Sequence, residues 1–273
     1  MNKKLQTLKY LFFDIVSAAG AWSLFFIFRK AFIETTKYGE KVPIEFSDKF
    51  YTGLVVVPLF WLALYAIQGT YSNIYRKSRL KELGQTLLTA LIGVIVIFFA
   101  LILDDEITSY KSYYESFAVL FFLHFFSTYF FRVILTTRTA HRIHNRIIGF
   151  PTLLIGSNEK ALQLFNELEG QRTSTGNKFV GFIHANGNKT GYLLDDKLPH
   201  LGGAADIKNI IKKYDLEEAI IALESSEHNK IQSIINEFED SKVILKIIPD
   251  MYDILSGSVK MNTIYGTPLI HIT

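Results

Sequence analysis

A bundle of four transmembrane helices followed by a Rossmann-like α/β domain with a parallel sheet is expected, with the division after residue 146. Three observations lead there. Four apolar runs, Leu11–Phe28, Tyr51–Tyr71, Leu87–Leu103 and Phe117–Leu135, fill the first half. Each approaches the ~20 residues a helix needs to cross ~30 Å of hydrocarbon. After Arg146, short β-rich runs such as Thr152–Ile155 alternate with charged helical stretches such as Ile207–Tyr214. Composition agrees: hydrophobic residues make up 49% of the chain, and the 23 phenylalanines concentrate in the apolar runs. The expected units are therefore a membrane domain over 1–146 and an α/β domain over 147–273.

The same composition narrows function. A net charge of +3 is too small to imply nucleic acid as a partner. With no cysteine, disulfides, thiolate nucleophiles and thiolate-bound metals are excluded. Met1–Lys4 could open a signal peptide, but no small-residue cleavage site ends the first run, which continues into Phe25–Lys30. The first run is thus read as a retained span.

Lysine and arginine placement orients the spans. Lys3, Lys4 and Lys9 precede the first; Arg76, Lys77, Arg79 and Lys81 lie between the second and third; Arg138, Arg142 and Arg146 follow the fourth. The third loop is acidic, with Asp104, Asp105, Glu106 and Glu115 against Lys111. Positive ends and a positive middle loop place both termini in the cytoplasm. The first loop, with Arg29, Lys30, Lys37, Lys41 and Lys49, points the other way and is outweighed by the rest. His141 and His144 join the basic segment after the fourth run, which is expected to meet anionic headgroups. Tyr110, Tyr113 and Tyr114 fit an interfacial aromatic belt.

Within the spans, Asp14 and Arg132 fall at similar depth on antiparallel helices and can pair. A membrane charge is costly unless paired or snorkelled, so an interhelical clamp is preferred to an ion conduit or lipid-phosphate contact. His124 is expected to hydrogen-bond a neighbouring helix, and Pro58 to kink the second span. So few polar groups argue against a transporter.

In the second half, strands are expected at Phe150–Ile155, Phe179–Ile183, Glu218–Ala222 and Val243–Ile248. Helices fill the connections: one runs to Leu168, one spans about Ala205–Tyr214, and a third starts at Ser226, with Glu227 and His228 in its first turn. That alternation implies a parallel sheet. The first strand-to-helix turn, Gly156, Ser157 and Asn158, is the candidate cofactor-binding site. A dinucleotide fingerprint wants glycine at the tight turn, the pyrophosphate approach and the helix contact. Here only Gly156 matches, Asn158 crowds the approach, and Ala161 is a tolerated third residue. The expectation is a weak nucleotide or phosphate site at most, or a turn that only folds the sheet. Gly202 and Gly203 suit a tight turn before the second helix. Asp250 and Asp253 read as turn or cap residues rather than an acid–base pair. No catalytic residue and no metal site is identified.

Three phrases carry a resemblance that extends over the whole chain: Tyr75–Gly84, Thr137–Gly149, and Ile248–Asp253 with Tyr265–Ile270. They resemble the N-terminal region of bacterial polyprenyl glycosylphosphotransferases of exopolysaccharide synthesis. The resemblance implies four transmembrane helices, then a CoA-binding-type Rossmann-like domain, in the bacterial inner membrane. In that family a further C-terminal domain with an Asp-Glu dyad and Mg²⁺ transfers a sugar 1-phosphate from a nucleotide sugar to undecaprenyl phosphate. None of those carboxylates matches a position here, and the sequence given stops at Thr273, about where that domain begins. The chain is therefore expected to be a fragment, a truncated copy or an accessory protein, non-catalytic alone and without a cofactor of its own. Its partners are the lipid bilayer and, through the further domain, undecaprenyl phosphate and a nucleotide sugar; a homo-oligomer is compatible with this. Two other readings stand beside it: the N-terminal part of a membrane-bound nucleotide-sugar dehydratase or epimerase, and a non-enzymatic membrane interaction module.

Overall fold

The computed structural model describes residues 3–40, 42–102, 110–184, 192–223, 228–248 and 270–272. It forms two compact units, Met1–Ala140 and His141–Thr273.

The first unit is helical. α1 (Lys3–Phe28) continues through a wider π-helical stretch, Arg29–Glu34, into the short α2 (Thr35–Tyr38). α3 spans Asp48–Ile67, α4 spans Arg79–Ile97 with a π-helical extension to Ile102, and α5 spans Tyr110–His144. Four helical segments, Lys3–Glu34, Asp48–Ile67, Arg79–Ala100 and Tyr110–His144, are long and apolar enough to cross a membrane. All but α3 extend well beyond the apolar run that announced them, because polar residues add turns at their ends. Ser78 illustrates one such end: its hydroxyl accepts from the Lys81 N–H at 3.2 Å, capping α4. Pro58 lies inside α3, which continues through it.

Two glycines bring helices close. The Trp22 indole packs on Gly53 and donates to the Phe50 carbonyl at 3.2 Å, while the Trp61 ring packs on Gly93. Any side chain at either glycine would occupy the space of an indole. This is the small-residue packing that membrane helices use, where apolar contact with lipid offers no hydrophobic gain. Around that core, Leu8, Phe12, Val55, Leu59, Phe126 and Phe130 are exposed. So extensive an apolar surface is costly in water and suits a lipid surround.

The second unit is a six-stranded sheet in the order β3-β2-β1-β4-β5-β6. Its strands are β1 Phe150–Ile155, β2 Asn177–His184, β3 His200–Gly203, β4 Glu218–Ile221, β5 Ile244–Ile247 and β6 Ile270–Ile272. β6 is antiparallel to β5 and every other pairing is parallel. The helices are α6 (Glu159–Gly170), α7 (Ile207–Tyr214) and α8 (His228–Phe238). Both faces of the sheet are covered. Leu153 and Ile155 join Ile207 and Ile210 of α7 and Ile234 and Phe238 of α8. Leu154 joins Ala161, Leu164 and Leu168 of α6 on the other face. Burial on two faces is why β1 reads as an unbroken apolar run rather than an alternation.

β3 and β6 were not foreseen. Gly202 and Gly203, expected in a turn, end β3 instead, with Gly203 in register with His184. Close approach of β3 makes Gly181 obligatory: a Cβ there would lie 2.5 Å from the Pro199 carbonyl. The expected cap Ser226, its first-turn neighbour Glu227, the acids Asp104–Glu106, and Asp250 and Asp253 lie outside the described residues.

Candidate functional site

The strand order reverses between β1 and β4, so the crevice beyond their carboxyl ends is the topological switch point where α/β sheets bind ligands. Gly156 stands there. Its φ of +134° favours glycine, and a Cβ would come within 2.6 Å of the Ala222 carbonyl at the end of β4. Its N–H donates to the Ile183 carbonyl at 2.9 Å, pinning the turn to β2. Ala161 is fully buried and lies 3.4 Å from that same Cβ position, filling the helix-to-strand contact.

Asn158 is the N-cap of α6. Its Oδ1 accepts from the Ala161 N–H at 3.0 Å, which occupies one of the orphan donors an anion would otherwise use. Ser157 sits half-buried between the two. The turn therefore brings together Gly156, Ser157 and Asn158, with the asparagine side chain committed to the helix.

The sequence reading missed a neighbouring cluster. Ile155 is in register with Ile183, so His184, the last residue of β2, stands beside Gly156 on the adjacent strand. Its Nδ1 lies 2.8 Å from Nε2 of His200 on β3, a hydrogen bond between imidazoles. The Tyr192 ring stacks on His184 at 5.4 Å and 11°, and its centroid lies 4.8 Å from that of His200. Asp195 accepts from the Tyr192 N–H at 2.8 Å, and Asp206 accepts from the Gly203 N–H at 2.9 Å. Dinucleotide folds place a carboxylate at the end of β2 to bind ribose hydroxyls. That position was the signal that could have drawn attention to His184. Among the described residues no group of three or more metal-ligating side chains could hold a metal ion.

The helical unit holds a second polar centre, which is buried. Arg132 of α5 and Asp14 of α1 are 1% and 2% exposed. Nε and Nη2 of the arginine donate to the two carboxylate oxygens at 3.0 and 2.8 Å, the pairing the sequence suggested. Nη1 donates to Thr86 at 3.3 Å and lies 3.6 Å from Glu82, both on α4. Tyr71 donates to Asp14 at 2.9 Å and Lys77 lies 3.1 Å from Glu82, so the segment joining α3 to α4 closes the network. Burial and then the Asp14 charge push the Tyr71 hydroxyl above its ordinary range. Burial holds the Lys77 ammonium below its own, against the pull of Glu82. Glu82, in the first turn of α4, is fully buried. Its signal was the stripe Glu82, Thr86, Thr89 and Gly93 down one face of α4. His124 bonds the Tyr65 hydroxyl of α3 at 2.7 Å and stacks on Trp61 at 3.5 Å, an interhelical partner as expected.

The basic segment after the fourth span divides. Arg146 ion-pairs with Glu169 at 2.5 Å and also donates to the Glu169 and Gln171 carbonyls, at the carboxyl end of α6. Within the α/β unit it serves the carboxyl end of α6, where the helix dipole favours a cation.

A family model described as a CoA-binding domain matches residues 66–249, taking in α4 and α5 as well as β1 to β5. No curated protein matches. Among solved structures, UDP-D-quinovosamine 4-dehydrogenase from Vibrio fischeri is 19% identical over 46% of this chain and 94% of its own, with a TM-score of 0.35. RSP in complex with beta-NADH is 12% identical over 64% of this chain and 90% of its own, with a TM-score of 0.31. At these scores neither bears on the function of this chain.

Proposed function

Because the chain belongs to the CoA-binding domain family, we propose that its α/β unit binds a nucleotide-type ligand, CoA-like or a nucleotide sugar, at the carboxyl edge of the sheet beside Gly156. The observation that carries this is the glycine-only turn at the β1–β4 switch point. Affinity is modest, since Asn158 has already capped α6 and only backbone N–H groups and Ser157 are left to meet a phosphate at this turn. NAD binds weakly, because the β2 terminus offers His184 in place of a ribose-binding carboxylate.

In this reading the helices tether that domain to the bacterial inner membrane with both termini cytoplasmic. The whole serves as the anchoring and regulatory part of a sugar-1-phosphate transferase that loads undecaprenyl phosphate in exopolysaccharide synthesis. The carboxylates and Mg²⁺ of the transfer belong to a further domain. The resemblance of Tyr75–Gly84 and Thr137–Gly149, and the positive segments around the helices, support it.

Calorimetric titration of the full chain in detergent with CoA, UDP-sugars and NAD tests the ligand. Dissociation constants in the micromolar range or weaker are expected for CoA or a UDP-sugar, and weaker still for NAD. Tight NAD binding would overturn the reading. A reporter joined after Thr273 that is active only in the cytoplasm should be active; an exclusively extracytoplasmic signal would reverse the topology.

A further inference from the structure

We propose that the His184–His200–Tyr192 cluster recognises a phosphate carried on the ribose of an adenine nucleotide. The inference rests on the nucleotide-binding reading and narrows it. His184 ends β2 in register beside the Gly156 turn, so the two share one edge of the sheet. A nucleotide diphosphate lying over Gly156 directs its ribose to the end of β2, the place a carboxylate takes when the ribose diol is free. A carboxylate there would repel a phosphorylated ribose; an imidazole pair does the reverse.

The geometry suits an anion. The shared hydrogen bond at 2.8 Å fixes both rings, so that one imidazole donates and the other accepts. His200 is exposed and His184 half-buried, leaving the pair open to a ligand. Whichever ring donates in that bond, the accepting ring keeps its other N–H as a donor for an anion. Tyr192 lies parallel to His184 and holds the ring in place. Asp195 and Asp206 each accept from a backbone N–H, of Tyr192 and Gly203 respectively. Two ligands carry this chemistry: CoA, phosphorylated at the ribose 3′ position, and NADP, at the 2′ position.

The test uses the full chain in detergent micelles and two matched pairs, CoA with dephospho-CoA and NADP with NAD. In at least one pair the phosphorylated member should bind about ten-fold tighter or more, and which pair shows it identifies the ligand. H184Q/H200Q should abolish that preference, bringing the phosphorylated and dephosphorylated members of the pair to the same affinity. H200K, which brings a cation to the edge, should recover part of it. Parity in both pairs with measurable binding overturns this inference alone, as does a preference that survives H184Q/H200Q. Failure of all four ligands and of UDP-sugars overturns the nucleotide-binding reading with it.

Discussion

Arg132 faces Asp14 across α5 and α1 and donates two hydrogen bonds to it, 3.0 and 2.8 Å long, with almost no access to solvent. The arginine also lies 4.0 Å from the centroid of the Tyr65 ring. One side chain thus touches residues on all the long helices of the unit, so the geometry is a clamp on their packing.

Removing either partner strands the other. R132M and D14N are each expected to destabilise the helical unit by about 3–5 kcal/mol. The double variant should lose distinctly less than the sum, because the second change removes a charge already stranded. Unfolding by SDS titration of detergent-solubilised protein measures all three. Simple additivity would mean that the two residues do not act as a pair.

Glu82→Gln should show a pH signature. Lys77 already sits below the ordinary lysine value of 10.5, and Glu82 is the chief influence raising it back. Without Glu82 the depression deepens. A lysine depressed in the folded state contributes stability that is complete above 10.5 and is lost as pH falls. The deficit of E82Q relative to wild type should therefore be larger near about pH 7 than near about pH 9.5. Tyr71, raised in the folded state, stays protonated over that interval and does not obscure the comparison. A deficit that widens with alkalinity contradicts the assignment.

At the sheet edge, Asn158→Ala should cost the α/β unit about 1 kcal/mol through the lost cap of α6, and Asn158→Asp should be nearly silent. Gly156→Ala should cost more. It combines a left-handed φ with a clash against the Ala222 carbonyl, and backbone has little freedom to yield. Limited proteolysis within 141–273 and thermal melting rank the three. A Gly156→Ala protein as stable as wild type would mean that the turn is not held as described.

Gly53→Val places its side chain inside the volume of the Trp22 ring. A loss of about 1–3 kcal/mol is expected, and more if α1 and α3 separate. Trp22 fluorescence should shift to the red as the indole meets solvent or headgroups. An unchanged emission spectrum together with unchanged stability would sink the packing argument.

Much of this architecture was legible in the residues because apolar runs and β-rich segments are local signals. Leu87–Leu103 announces α4, and Thr152–Ile155 announces β1. What escaped depends on partners far along the chain. β3 contains two glycines and carries little apolar signal; it becomes a strand only because Gly181 lets it approach β2. Glu82 looks like a loop acid until Arg132, fifty residues on, takes it into the interior. Gly156 was evident as a turn glycine, and Asn158 as a departure from the fingerprint. That Asn158 serves as a cap, and that His184 and His200 meet, follow from pairings that spacing alone does not encode.

The buried cluster also has a bearing on how the helices meet an electric field. Asp14 and Glu82 stand against Arg132 and Lys77, so its formal charges cancel. In an energised bilayer a cancelled set experiences no net pull along the membrane normal, whatever its depth. A substitution that removes a single member would leave one charge coupled to the voltage, by up to about 2.3 kcal/mol per 100 mV for passage across the full drop. Charge balance therefore leaves the cluster with no net charge for a uniform field to act on, and each single-charge variant is expected to gain a voltage dependence.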